Sequence, residues 1–278
     1  MAWLTALFHR SMVINLAIAV AAFVVFWLAN TGYDVSLREA QYFSGWVLTV
    51  CMLVLFLLTL RKRVVILPFG RVRGWLSLHY YLGFATLAVF LVHTHFRFPD
   101  SPLEWQLWLL FVLIGLSGVI GALLTKLVPL RLEAHGERII FERIPIFREE
   151  LRAEAEATAL ESVKDGNTVT IAELYTNTLV NYFDRPRNVV SHLLGSKSPL
   201  ARIERALDSV ERYLDDAGKA RLAKLRELVE TKDNLDFQYA NGGLLKVWLF
   251  FHVPATWAVL VTMVVHIVVA YAFSAGVA

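Results

Sequence analysis

Five of the eight histidines lie within two apolar stretches of the sequence, where a polar side chain needs a partner. His79 and His93 are 14 positions apart in the first stretch, and His252 and His266 are 14 positions apart in the second. Fourteen residues make about four turns of an α-helix and a rise of about 21 Å, so the two histidines of a pair share one helix face. Two such helices lying side by side would set His79 opposite His252 and His93 opposite His266.

Imidazoles that face each other in this way predict iron ligation. Each facing pair can supply both axial ligands of a haem held edge-on between two helices, because imidazole is a common axial ligand of haem iron. The sequence thus predicts two b-type haems, an inner one on His79 and His252 and an outer one on His93 and His266. The corresponding chemistry is electron transfer through most of the hydrocarbon layer. The single cysteine, Cys51, excludes both a C-x-x-C-H haem attachment site and a cysteine-ligated iron–sulfur cluster.

The same histidines have a simpler interpretation as hydrogen-bonded polar residues or as the lining of a proton path. The equal separation in two segments, with no histidine in the other three apolar segments, favours ligation. A single metal ion shared by the whole set is disfavoured, because the members of a pair are about 21 Å apart along the helix.

The elements that carry these histidines are predicted to cross a membrane. The chain of 278 residues is 57% hydrophobic and 18% charged, whereas a soluble domain has about 45–50% apolar and about 25% charged residues. Five apolar segments are long enough to span a bilayer core: Met12–Ala29, Phe43–Leu60, Trp75–Phe96, Trp105–Val128 and Leu244–Phe273. The first segment is longer than the apolar region of a usual signal peptide, so we expect it to remain as a helix.

The distribution of basic residues predicts the orientation in the membrane. The connection between the second and third segments holds Arg61, Lys62, Arg63, Arg71 and Arg73 and no acid, whereas residues 99–104 hold two acids and no base. The positive-inside rule places the basic connection in the cytoplasm. We therefore expect a bacterial cytoplasmic membrane protein with its N-terminus inside and its C-terminus outside, in which the third and fifth helices are parallel. Much of the basic charge lies beside membrane segments, so nucleic-acid binding is not expected.

A polar stretch separates the fourth and fifth apolar segments. The predicted fold is an all-α membrane bundle of five transmembrane helices (residues 1–128 and 244–278) with a mostly helical cytoplasmic insertion at residues 129–243. Within the insertion, Ser198-Pro199 is typical of a helix start, and Asp216-Ala217-Gly218 interrupts the apolar periodicity of a helical hairpin. The insertion contains no glycine-rich nucleotide-binding motif and no cysteine cluster.

Four further residues are candidates for cofactor contacts. On a continuous helix His95 points about 200° away from His93; it is expected either to bond a haem propionate, a quinone or water, or to lie at the membrane interface. If the helix is distorted there, His95 is the alternative ligand, although this choice breaks the matched separation of 14 residues. Arg97 and Arg73 flank the ligand helices and are candidates for pairing with propionates, although basic residues also mark ordinary helix ends. Gly83, one turn after His79, would allow a haem or a neighbouring helix to approach closely.

The His-x13-His pattern in two transmembrane segments resembles the di-haem core of the cytochrome b proteins, including the ferric-reductase-like and cytochrome b561-like groups. The resemblance covers mainly the third to fifth segments and is carried by His79, His93, His252 and His266. It implies haem ligation by these four residues. Ferric reductases and NADPH oxidases also carry a flavin–nicotinamide domain, and we expect none here. The large insertion is not part of the usual pattern of these families.

The function expected from these observations is that of a membrane cytochrome b subunit in a larger respiratory-chain oxidoreductase complex. Its expected partners are the lipid bilayer and either cytochrome c or iron–sulfur subunits, and a quinone is a further candidate ligand. Two alternatives stay open: a self-sufficient quinol-dependent or ferric reductase, and a membrane protein that handles or assembles haem.

Overall fold

A computed structural model describes residues 10–36, 39–63, 72–134, 139–164 and 169–274. Every regular element within these ranges is a helix, which confirms the all-α prediction for the described part of the chain. Five of the helices are long and apolar enough to cross a membrane, and each contains most or all of one predicted apolar segment.

The first four helices are α1 (Arg10–Val35), α2 (Ala40–Arg63), α3 (Val72–His93) and α4 (Pro102–Glu133). A 3-10 turn (Phe141–Arg143) leads into α5 (Ile144–Lys164), which is followed by α6 (Val169–Leu174), a π-helical turn (Tyr175–Leu179), α7 (Val180–Asp184) and α8 (Val189–Leu193). The last two helices are α9 (Ser198–Glu211) and α10 (Asp216–Ser274).

The start of α4 illustrates how local chemistry sets a helix end. The Glu104 backbone N–H donates to Ser101 Oγ at 3.3 Å, while the Glu104 carboxylate accepts from the Asp100 backbone N–H at 3.4 Å. The first of these bonds occupies a donor that the first helical turn leaves without a partner, and the second ties the residue before the cap to the same turn. Pro102 follows the cap at the first helical position, where its missing N–H is not needed.

The last helix is longer than the sequence suggested. The predicted apolar segment begins at Leu244, but α10 runs without interruption from Asp216 to Ser274. Gly242 and Gly243 lie inside this helix. A Cβ atom on Gly242 would come within 2.9 Å of the Phe141 ring, so this glycine serves a close packing contact.

The described residues fall into two compact units. The apolar unit comprises residues 1–122 and 249–278, and the polar unit comprises residues 123–248. In the apolar unit α2 packs along α3, and α1 contacts both. A cluster of buried side chains from α2, α3, α4 and α10 forms its centre: Met52, Phe90, Phe111, Val259, Leu260 and Met263.

The polar unit has its own hydrophobic core, built by α5 to α7, α9 and the first part of α10. Phe183, Leu207, Leu222 and Leu225 are among its buried members. The predicted helix start at Ser198-Pro199 is confirmed, and α9 forms a helical hairpin with α10. Arg226 of α10 donates to the Asp208 carboxylate of α9 at 2.8 Å across this hairpin.

Candidate functional site

His79 and His252, the predicted inner pair, face each other in the apolar unit. His79 lies on α3 and His252 lies on α10, and both side chains are partly buried. Their ring centroids are 6.4 Å apart, and the ring planes are inclined by 72°. The two helices therefore bring together imidazoles that are 173 positions apart in the sequence.

This separation fits a metal ion held between the two rings. With a metal–nitrogen distance of about 2.0–2.1 Å, imidazoles on opposite sides of one ion have ring centres about 6–6.5 Å apart. An axial imidazole can rotate about its metal–nitrogen bond, so an inclination of 72° is compatible with such a pair. The ring spacing of the inner pair is therefore compatible with two imidazoles that would ligate one metal ion.

His93 and His266, the predicted outer pair, line one cavity of about 570 Å³. Both imidazoles are partly buried, and they are close enough to interact electrostatically. The cavity volume lies within the range of about 300–1,000 Å³ that is common for small-molecule and cofactor sites. The cavity beside the outer pair is therefore large enough for a small-molecule or cofactor ligand.

The cavity walls are aromatic and apolar towards the centre of the unit. Phe90 and Phe111 stack there with ring centroids 4.1 Å apart and contribute to the lining together with Val259. On another side, Trp46 Nε1 donates to the Tyr271 hydroxyl at 2.8 Å and ties α2 to α10. These walls provide a flat, apolar environment of the kind that accepts a planar aromatic ligand.

Two serines contact the predicted ligands. Ser44 Oγ on α2 lies 3.0 Å from His93 Nδ1, and Ser117 Oγ on α4 lies 3.0 Å from His252 Nδ1. Each serine comes from a helix that has no histidine of its own. Neither serine could be predicted from the sequence, because a single serine in an apolar segment has no spacing pattern that marks it.

Gly45 follows Ser44 and lies directly against the His93 ring. A Cβ atom on Gly45 would come within 3.1 Å of His93 Cε1, closer than most carbon contacts allow. Ser44 and Gly45 thus both contact the His93 imidazole and together restrict its position. Gly45 was not predicted either, although a Ser-Gly pair within an apolar helix often marks a place where another group approaches the helix backbone closely.

The structure corrects the expectation for His95. The prediction that His95 points away from His93 assumed a helix that continues to Phe96, but α3 ends at His93. His95 and Phe96 adopt left-handed backbone conformations with φ of 49° and 56°. This turn allows His93, His95 and Arg97 to line the same cavity. Histidine tolerates this conformation better than most residues with a Cβ atom.

Gly83 has open space beside it. No atom of the described residues would lie within 4 Å of a Cβ atom at Gly83, leaving out the backbone of its own helix. A close helix–helix contact is therefore not the reason for this glycine in the described part of the chain. Arg73 lies in the first turn of α3, but its side chain is outside the described residues.

Each histidine pair offers two imidazoles and no further metal-ligand side chain among the described residues. Among the described residues, no group of three or more His, Cys, Asp or Glu side chains is arranged to hold a metal ion. Two imidazoles fill only part of the coordination sphere of a transition metal. The arrangement suits a ligand that brings its own equatorial donors, as a haem does.

Comparison with known proteins adds no family assignment. No protein-family model matches the chain, and no curated protein or solved structure matches it.

Proposed function

We propose that this chain is an integral membrane cytochrome b that holds two bis-histidine haems and transfers electrons across a bilayer. The observation that carries the proposal is the equal 14-residue spacing of the histidines on α3 and α10, together with the 6.4 Å separation of the His79 and His252 rings. The b-type haems would supply the reversible one-electron chemistry. The protein would supply the axial imidazoles, the orientation and the exclusion of water.

The outward-facing surface of the apolar unit supports a position in the membrane. Leu116 on α4 and Val261 on α10 are 62% and 63% exposed, although both lie within the apolar parts of long helices. Such surfaces are unfavourable in water but match the hydrocarbon of a bilayer. Together with the basic connection at residues 61–73, they favour a bacterial cytoplasmic membrane with the polar insertion inside.

Among the described residues that line the cavity, the guanidinium of Arg97 can pair with an anionic group, whereas Glu39, Asp100 and Glu104 bring carboxylates to the same lining. Arg97 and His95 line the cavity together with the ligand candidates His93 and His266. A guanidinium group binds carboxylates such as haem propionates through charge-assisted hydrogen bonds. We assign Arg97 to this contact, with Arg73 as the corresponding candidate near the start of α3 and Gly83 as the place where the porphyrin approaches the helix.

The electron donors and acceptors are proposed to be other redox subunits. The chain has no nucleotide-binding motif and a single cysteine, so it does not itself provide a dinucleotide site or a cluster with cysteine ligands. Cytochrome c or iron–sulfur subunits would deliver or remove the electrons, with the polar unit as the docking surface on one side. A quinone is the candidate small-molecule partner.

The proposal is tested by electron transfer across a sealed membrane. The purified chain, loaded with haem, is reconstituted into liposomes that contain ferricyanide, and dithionite is added outside. We expect the internal ferricyanide to be reduced, and we expect His79→Ala and His266→Ala each to abolish this reduction, because each removes one axial ligand. His9→Ala, which changes a histidine outside the apolar segments, serves as the matched control and should keep the wild-type rate.

Equal rates in the wild type, in both ligand variants and in liposomes without protein would overturn the proposal. The proposal would also be overturned if all four samples were inactive although the wild type carried its haem, because the haems would then not connect the two sides of the membrane.

A second candidate function is that of a self-sufficient quinol-dependent or ferric reductase. It is favoured by the open cavity, in which His95 and Arg97 lie beside the outer pair and can bind and orient a polar substrate. The purified chain would then oxidise a short-chain quinol or reduce ferric citrate by itself. Arg97→Gln should slow this turnover. Activity that appears only after a redox partner is added would exclude this candidate.

A further inference from the structure

An exposed apolar stripe on α4 continues into the polar unit. Its side chains follow each other at intervals of four and three residues, which places them on one face of the helix. They are Leu116, Ile120, Leu123, Leu127 and Leu130, and all are more than half exposed. The polar unit begins at Leu123, so the surface that matches lipid hydrocarbon extends beyond the apolar unit.

Arg131 ties the short helix α8 to the end of this stripe. Its guanidinium donates to the Leu193 carbonyl oxygen at 2.8 Å and to the His192 carbonyl oxygen at 3.1 Å. Trp105, near the start of α4, and Arg131 are 26 residues apart, which is about 39 Å along a helix. A bilayer with its headgroups is about 40–45 Å thick, so with Trp105 at one interface Arg131 lies at the depth of the opposite headgroups.

The α8 turn presents apolar side chains beside this point. Val190 and Leu194 are 68% and 78% exposed. They are four residues apart, and Leu194 still has a helical backbone conformation, so both lie on one face of the turn. Exposed aliphatic side chains are unfavourable in water, whereas the boundary between headgroups and acyl chains accepts them.

The chain around α8 is positively charged. Residues 185–202 contain four bases and no acid, whereas the rest of residues 129–243 contains more acids than bases. The four bases are Arg185, Arg187, Lys197 and Arg202. Lys197 and Arg202 are exposed. Basic residues next to exposed aliphatic ones are typical of segments that lie on a membrane with anionic lipids.

We propose that residues 185–202 bind the anionic headgroup layer of the same bilayer that α4 crosses. Val190 and Leu194 enter between the headgroups, while the exposed basic side chains pair with lipid phosphates. The inference rests on the membrane position in the proposed function, but it does not depend on haem. Lipid is favoured over a soluble protein as the occupant, because Arg131 holds α8 at headgroup depth on a helix whose exposed stripe faces lipid.

The proposal is tested with nitroxide labels on single cysteines in the full chain, with Cys51→Ser removing the native thiol. The labelled variants are Leu194→Cys, Leu116→Cys as the lipid-facing reference, and Tyr213→Cys as the matched control. Tyr213 is 67% exposed, and the start of α10 beside it is about 42 Å along the helix from Leu244, where the apolar segment begins. Electron paramagnetic resonance measures the access of oxygen, which partitions into lipid, and of a water-soluble nickel complex. The liposomes consist of phosphatidylcholine with or without phosphatidylglycerol.

We expect the label at position 194 to be open to oxygen and several-fold less accessible to nickel than the label at position 213. Phosphatidylglycerol should increase this difference, and Lys197→Glu should remove part of the increase. Loss of one basic residue near an anionic membrane should weaken the contact roughly fivefold. Lys219→Glu, the same change on an exposed lysine in the first turn of α10, is the matched control and should leave position 194 unchanged.

Equal nickel access at positions 194 and 213 in both kinds of liposome, with position 116 protected, would overturn the inference and leave the membrane position intact. Spin–spin broadening at position 194, or protection from oxygen as well as from nickel, would also overturn it, because a second copy or another protein would then cover the surface. Nickel access at position 116 would contradict the membrane position and hence the proposed function. The expected pattern in a chain that binds no haem would support the lipid contact and overturn only the electron-transfer proposal.

Discussion

The two units of the molecule place their apolar side chains in opposite ways. In the apolar unit, large residues such as Leu116 and Val261 are more than 60% exposed. In the polar unit, Phe183 and Leu225 are completely buried. Burial of apolar surface drives folding only where the surrounding medium is water. The difference therefore indicates that the two units are built for different surroundings.

The units also differ in how they treat buried polar groups. In the polar unit Lys232 and Asp236 form a buried ion pair, in which Lys232 also donates to the Arg185 carbonyl and Asp236 accepts from the Arg187 N–H. Tyr182 lies against this pair, and burial raises the pKa of its hydroxyl. Among the described residues of the apolar unit, the buried polar side chains are the hydroxyls of Ser44, Thr49, Thr86 and Thr262, which carry no charge. The polar unit thus pairs buried charges with each other, whereas the buried polar side chains of the apolar unit carry no charge.

The largest effect is expected from breaking the buried ion pair. Lys232→Met leaves the Asp236 carboxylate without its cation and should destabilise the polar unit by about 3–5 kcal/mol. Lys232→Met/Asp236→Leu should recover part of this loss, because no uncompensated charge remains. The measurement is a urea titration of the full chain in detergent micelles, read by protease susceptibility of the polar unit. A double variant less stable than the single one would contradict this account.

The same variant gives a pH dependence with a defined sign. Burial raises the pKa of Asp236 above the usual 3.8 even beside Lys232, and removal of Lys232 should raise it further. A carboxyl group with a raised pKa in the folded state binds protons that the unfolded state has released, so stability falls as the pH rises through this window. The stability lost by Lys232→Met relative to the wild type should therefore be smaller at about pH 4 than at about pH 7.

A smaller effect is expected from deleting apolar side chains, and it should differ between the units. Leu225→Ala opens a cavity in the core of the polar unit and should cost about 2–5 kcal/mol. Val261→Ala, on an exposed face of α10, should change stability by less than about 0.5 kcal/mol. The same urea titration compares the two variants. A similar loss in both would mean that Val261 packs against protein, and the contrast between the units would not hold.

The smallest effect is expected at the surface of the polar unit. Glu142 is exposed, and the hydrogen bond from Lys246 lowers the pKa of its carboxyl group below 4.5. Its contribution to stability is present above this pH and is lost as the pH falls through the folded-state pKa. A ¹³C NMR titration should place the Glu142 midpoint below 4.5 in the wild type and higher in Lys246→Met, where only the hydrogen bond from the backbone still lowers the pKa. Equal midpoints would show that the ion pair is not formed in solution.

Much of the fold was predictable from the sequence, because apolar length and helical period act locally. The five apolar segments are all helical, but two ends differ. The end of α3 at His93 precedes a turn at Thr94–Phe96 that has no glycine or proline to mark it. The glycines at positions 242 and 243 resemble a break, yet α10 continues through them, and Phe141 packs closely against Gly242.

The candidate site was predictable to the extent that it depends on spacing along one helix. The 14-residue separation identified the four histidines, and the structure places His79 beside His252 and sets His93 and His266 around one cavity. Ser44, Gly45 and Ser117 come from neighbouring helices, so their roles depend on helix packing, which spacing does not report. The position of His95 could not be predicted, because the turn that follows His93 contains no glycine or proline that would mark it.

The most direct test of the central claim is the haem content and optical spectrum of the purified chain, with His79→Ala and His266→Ala measured beside it. The account predicts two b-type haems per wild-type chain, both low-spin when reduced, and the loss or perturbation of a different haem in each variant. A well-folded wild-type chain that binds no haem would contradict the account, and the four histidines would then be polar groups of a proton or transport path.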